Sequence, residues 1–259
     1  MMLKKLIYIL CIALIFIIVA GERNLKNIEI AEPTALLPET KEIQVAAEES
    51  VPVSFSEKLA AGESVTIVFL GDYVTSPDSL PDGNPNHVAL LDNWFDDNYP
   101  NQVKVINTGM NANTISHMKE RIASDVLSHS PDLVVISAGL NDALGGWKIP
   151  VEEYAKSYQL IVDEISASGK TEVLIRTPNP TTSVNQNIKL LSYIQVSREL
   201  ADEDNIHFFD FYQVMADDIH GKKISQSKLM QNSMHPNTMG QAYLFDKFKE
   251  YLTTELIKQ

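Results

Sequence analysis

The sequence predicts a three-layer α/β/α domain built on a five-stranded parallel sheet, and three observations lead there. Short apolar, β-branched runs occur at Val65–Leu70, Val103–Ile106, Leu133–Ser137, Val173–Ile175 and Ile206–Phe209. Segments with helical spacing separate them. Strands buried on both faces read as continuous apolar runs, and strand–helix alternation supplies the crossovers that a parallel sheet needs. The chain has 259 residues, 44% of them hydrophobic, which suits one large core better than two small ones.

Each element has a local reason. Tyr154, Tyr158, Ile161 and Ile165 recur at steps of four, three and four, which is one face of a helix. Phe245, Phe248, Leu252 and Leu256 set the same expectation near the C-terminus. Pro150 followed by Glu152 and Glu153 marks a helix start, since proline needs no donor there and acids suit the positive end of the dipole. Asn113-Thr114 can cap another. In such a sheet the ligand site forms outside the carboxyl ends of the strands.

The domain itself is expected over 59–259. Residues 22–58 are acidic, carry Pro33, Pro38 and Pro52, and lack a sustained apolar period, so they read as a linker. Residues 1–21 read as a signal peptide or an N-terminal membrane anchor: Lys4 and Lys5 precede the uncharged apolar run Leu6 to Ala20. Both readings export the remainder, either secreted or held on the outer face of the cytoplasmic membrane. Cys11, the only cysteine, lies in this run, so the exported part has no disulfide, thiol nucleophile or cysteine metal site.

A formal net charge of −13 argues against a nucleic-acid surface, which needs a basic stripe. It also disfavours adhesion to anionic lipid, leaving the N-terminal segment as the sole membrane contact expected. The glycines lack the spacing of a phosphate-cradling loop, and the histidines lack metal-ligand spacing. No cofactor and no metal are expected.

Four short segments could carry chemistry. Gly71-Asp72-Tyr73-Val74-Thr75 follows the first strand, Asn107-Thr108-Gly109 the second and Gly139-Leu140-Asn141-Asp142 the third. Asn232-Ser233-Met234-His235-Pro236 precedes the last helix. Each alone is ordinary turn chemistry; their order and shared placement make the set specific. The other histidines, His87, His117, His129, His207 and His220, all read as surface or helix-face residues by default, with His87 also a candidate for the mouth of the site. Trp147 is the aromatic best placed to form a pocket wall.

On these four segments the chain resembles the SGNH/GDSL hydrolase family, over roughly residues 62–257. The resemblance implies a flavodoxin-like α/β/α fold and an esterase or acylhydrolase scaffold. It further implies His235 as general base, with Gly109, Asn141 and the backbone N–H of Tyr73 as oxyanion donors. Two positions depart from the family pattern. Tyr73 stands where the nucleophilic serine belongs, and Asn232 where the aspartate that orients the histidine belongs.

The tyrosine oxygen lies several bonds further out than a serine hydroxyl and overshoots the point shared by base and oxyanion donors. The asparagine can offer its carbonyl oxygen to His235 Nδ1–H but cannot balance an imidazolium charge. Asp142 or Asp210 would replace it only if the fold brought one near. Thr75, Ser76 and Ser79 read as loop residues rather than replacement nucleophiles. The expected function is therefore a hydrolase-like domain at the cell envelope that binds an ester- or carbohydrate-type small molecule or an envelope polymer, with lost or reduced hydrolysis. The alternatives are an active esterase using a non-standard nucleophile with His235, and an interaction module with no ligand in the old site.

Overall fold

Five parallel strands form one sheet in the order β2-β1-β3-β4-β5, in a computed structural model that describes residues 53–202 and 206–257. The strands are β1 Val65–Gly71, β2 Val103–Asn107, β3 Leu133–Ser137, β4 Glu172–Arg176 and β5 Ile206–Phe209. Every neighbouring pair is parallel; Val68, for example, lies opposite Ile106 on one side and Val134 on the other. The expected leader and most of the acidic linker lie outside the described residues.

Ten α-helices accompany the strands among the described residues. They are α1 Phe55–Ala60, α2 His87–Asn98, α3 Ile115–Glu120, α4 Ile122–Asp125, α5 Leu140–Leu144, α6 Val151–Ser166, α7 Val184–Leu200, α8 Phe211–His220, α9 Gln226–Leu229 and α10 Thr238–Tyr251. None of the described helices is long and apolar enough to cross a membrane.

The three layers follow from side-chain alternation along the strands. In β1, Ile67 and Phe69 join one core with Phe55, Leu91 and Phe248, from α1, α2 and α10. Val68 and Leu70 join the other with Ile115 and Tyr158, from α3 and α6. The sheet is thus covered on both faces, as the apolar runs require.

Helix starts follow capping chemistry. The Asn86 side chain accepts from the Val88 and Ala89 N–H groups to open α2, and Thr114 accepts from His117 N–H to open α3. Pro150 sits at the N-cap of α6, with Tyr154, Tyr158, Ile161 and Ile165 all buried. The last helix differs slightly from expectation. Leu244, not Phe245, turns inward with Phe248, and the chain widens to a π-turn at Leu252–Leu256.

α1 begins within the stretch read as linker and runs two residues past its expected end. Phe55 and Leu59 are buried, Phe55 N–H donates to Glu172 Oε1 at 2.6 Å, and Lys58 pairs with Asp132. The packed domain therefore begins by Phe55. Asp132 and Glu172 stand at the amino ends of β3 and β4, so α1 closes the end of the sheet opposite the candidate site.

Candidate active site

In a 2-1-3-4-5 sheet the connections leaving β1 and β3 run in opposite directions, which opens a crevice at their carboxyl ends. Tyr73 follows β1 and Asn141 follows β3, so both stand on its rim.

The first loop is a tight turn held from inside. Asp72, buried, accepts from Val74 N–H through its carboxylate at 3.0 Å, and from the N–H groups of Thr75 and Ser76 through its carbonyl. Burial pushes its carboxyl up to about 6, against the Val74 hydrogen bond and the charge of buried Arg176. The turn leaves Tyr73 half-buried with its ring against His235, the centroids 4.5 Å apart and the planes tilted by 49°. The first and last of the four segments do meet.

The hydroxyls that follow Tyr73 are held inside. Thr75, Ser76 and Ser79 are all buried. Ser76 Oγ accepts from Asp78 N–H, and Ser79 Oγ accepts from Gln241 Nε2. None of the three makes a described hydrogen bond to His235. Ser76 and Ser79 thus hold the loop, while Thr75 Oγ1 is buried with no hydrogen-bond partner among the described residues.

Gly109 packs directly on this turn. A Cβ there would lie 2.5 Å from Ser76 N and Thr75 C, so only glycine lets the second loop approach the first. Its N–H donates to Asn107 Oδ1 at 2.9 Å, and an incoming oxyanion would have to share that donor. Asn141 is the second residue of α5, and its Nδ2 donates to the Asn113 carbonyl at 2.9 Å. The amide retains a second N–H. Asp142 fixes this corner by accepting from Ile115 and Gly139 N–H; burial holds its carboxyl at about 6.

Neither alternative carboxylate orients His235. Asp142 is committed to those backbone donors, and Asp210 is held by Arg198, Thr177 and the Gln213 N–H. Asn232 is the residue in contact, but with the polarity opposite to that expected. Its Oδ1 already accepts from Met234 N–H and His235 N–H, both at 2.9 Å. Those two bonds fix the amide so that Nδ2 faces His235 Nδ1 at 3.2 Å. An amide nitrogen only donates, so Nδ1 must accept. The expectation that the carbonyl would receive Nδ1–H is corrected: the backbone has already claimed that oxygen.

Burial lowers the pKa of His235, and no carboxylate offsets it. The loop around His235 is held by Asn179 Nδ2 on the Met234 carbonyl and Thr182 N–H on the Ser233 carbonyl. Residues from the β4 connection therefore set its height.

His87 does not line the mouth. It is fully buried with Nδ1 on Gln241 Oε1 at 2.7 Å, and burial followed by the Arg176 charge brings its pKa down to about 3. Trp147 stays 62% exposed, its ring edge-on to His117 at 5.0 Å. Two positioning residues escaped the sequence reading. Arg121 donates to the Thr108 and Gly71 carbonyls and to Asn113 Oδ1, tying the loop after β2 to the end of β1. Gln231 Nε2 donates to both the Tyr73 hydroxyl and the Ser79 carbonyl, each at 3.4 Å. Neither belongs to a motif; only long-range contacts reveal them.

A five-stranded parallel sheet covered on both faces, with these loops at its switch point, defines a three-layer α/β/α fold. The chain belongs to the GDSL-like lipase/acylhydrolase family, which it matches over residues 60–243. An acetylxylan esterase of Geobacillus stearothermophilus is 24% identical over 225 residues, covering 78% of this chain and 99% of that protein. An arylesterase of Vibrio mimicus is 24% identical over 221 residues, covering 81% and 96%. The crystal structure of an acetylxylan esterase from G. stearothermophilus aligns with TM-score 0.65 at 22% identity, over 76% of this chain and 98% of that one. That structural likeness speaks to the fold.

Proposed function

We propose that this domain binds an acylated carbohydrate in the β1/β3 crevice and hydrolyses esters poorly or not at all. The carrying observation is the Asn232–His235–Tyr73 arrangement. An imidazole whose Nδ1 accepts a hydrogen bond has its proton on Nε2, the nitrogen a general base must keep free. The ring beside it belongs to a tyrosine, and the nearby serine and threonine hydroxyls are buried. In subtilisin, loss of the serine alone costs on the order of 10⁶ in turnover, which sets the scale of the expected loss. The acyl-sugar ligand is suggested by the family and by the acetylxylan esterase relative. The apolar run Leu6 to Ala20 supports placing this function at the cell envelope.

The active-esterase reading draws on the same relatives, and one assay separates the two. The full chain is incubated with p-nitrophenyl acetate and acetylated xylobiose, beside His235→Ala. We expect no turnover above that of His235→Ala, with acetylated xylobiose bound. Turnover in the parent that His235→Ala abolishes would establish the esterase instead.

A further inference from the structure

We propose that Asn232 and Gln231 turn His235 and Tyr73 into a pair of hydrogen-bond donors, so that the site takes the carbonyl oxygen of a sugar-linked acetyl group. The inference rests on the ligand-binding reading above and adds what the site recognises.

Each side chain heads a short relay whose direction the backbone fixes. The Met234 and His235 N–H groups hold Asn232 Oδ1, which turns Nδ2 toward His235 Nδ1. A neutral imidazole with an acceptor at Nδ1 carries its proton on Nε2 and can only donate there. The Ser79 carbonyl likewise holds Gln231 Nε2, which donates to the Tyr73 oxygen at 3.4 Å. With one lone pair of that phenol so occupied, its own proton is left to donate elsewhere. Neither His235 Nε2 nor the Tyr73 proton has a described protein acceptor, and the rings are in contact at 4.5 Å. The two donors thus share one neighbourhood. In a working acyl hydrolase the histidine nitrogen accepts a proton from a hydroxyl; here the polarity is reversed.

A group with acceptor atoms and no donor complements such a pair, which points to a carbonyl oxygen. The chain carries a net charge of −13, so a neutral acyl carbonyl is favoured over a carboxylate. O-acetyl esters and N-acetyl amides share this chemistry.

The test begins with the unaltered, ¹⁵N-labelled full chain. A long-range ¹H–¹⁵N correlation at pH 8 should show His235 with a bare Nδ1 and a protonated Nε2; Asn232→Asp should move the proton to Nδ1. Calorimetry with acetylated xylobiose, N,N′-diacetylchitobiose, xylobiose and sodium acetate reads the ligand. At least one acetylated sugar should bind about tenfold tighter than xylobiose, the worth of one good hydrogen bond. Asn232→Asp should lose most of that preference. The acetylated sugar that binds distinguishes ester from amide.

A protonated Nδ1 in the parent overturns the proposal, as does acetate binding more tightly than either acetylated sugar, or equal binding of acetylated and bare sugars. Deacetylation by the parent with the Nε2–H pattern intact would count against the non-hydrolytic reading and leave the donor assignment standing. A protonated Nδ1 without turnover would do the reverse.

Discussion

At Gly109 a Cβ would sit 2.5 Å from two backbone atoms of the first loop, and backbone cannot swing aside as a flexible side chain can. Gly109→Ala is therefore expected to destabilise the domain by about 1–3 kcal/mol, the usual cost of overpacking. Urea unfolding checks this; an unchanged midpoint would mean the loops separate freely. His87 makes a second residue-level prediction. Its imidazole is kept neutral in the fold down to about pH 3, while the unfolded chain protonates near 6.5. Below 6.5 the unfolded state binds more protons, so stability is lost as pH falls through that window. Asp72 and Asp142, with folded pKa values near 6, act with the opposite sign, which makes the parent alone an impure test. The stability gap between parent and His87→Gln should instead move by about 2 kcal/mol against the parent from pH 7 to pH 5. A constant gap would contradict the burial of a neutral ring. His87 was misread from sequence because its partner, Gln241, lies 154 residues away. Asn232 was misread for a related reason: its identity is visible in sequence, but the backbone donors that set its polarity are not.

Among the elements, α10 matters most to the site because it begins two residues after Pro236. Asn237 caps it by accepting from Gly240 N–H, and its Nδ2 donates to the Lys228 carbonyl. Asn237→Ala should cost about 1–2 kcal/mol by losing the cap. Faster amide hydrogen exchange should follow in residues 231–237 but not in β3. Equal protection of that loop in both proteins would show that the β4 connection alone holds His235. The strands were legible to within one or two residues, because a strand buried on both faces is written as an unbroken apolar run. The short helices α4 and α9 were not, since four residues carry too little periodicity, and of α3 only the cap at Thr114 was. α1 was hidden inside an acidic stretch; its capping box, Ser54 with Glu57, was the local signal available.

For the whole molecule, strand–helix alternation discloses the layers, while the order of the strands comes only from the fold. That order places Tyr73 and Asn141 on either side of the switch point. The meeting of the first and last segments also became legible once the chain was compared, as a whole, with a familiar hydrolase pattern. What no pattern supplied was the direction of each proton, because hydrogen-bond polarity depends on which backbone groups have already claimed an oxygen. The central claim is that two substitutions, Tyr73 and Asn232, disarm a scaffold that is otherwise in place. The most direct measurement is the kcat for p-nitrophenyl acetate of the parent, Tyr73→Ser, and Tyr73→Ser with Asn232→Asp. We predict no detectable turnover in the parent, little in the single variant, and a gain of at least about 10³-fold in the double variant, the scale of restoring a nucleophile and its oriented base. Parent turnover equal to that of the double variant would contradict the account.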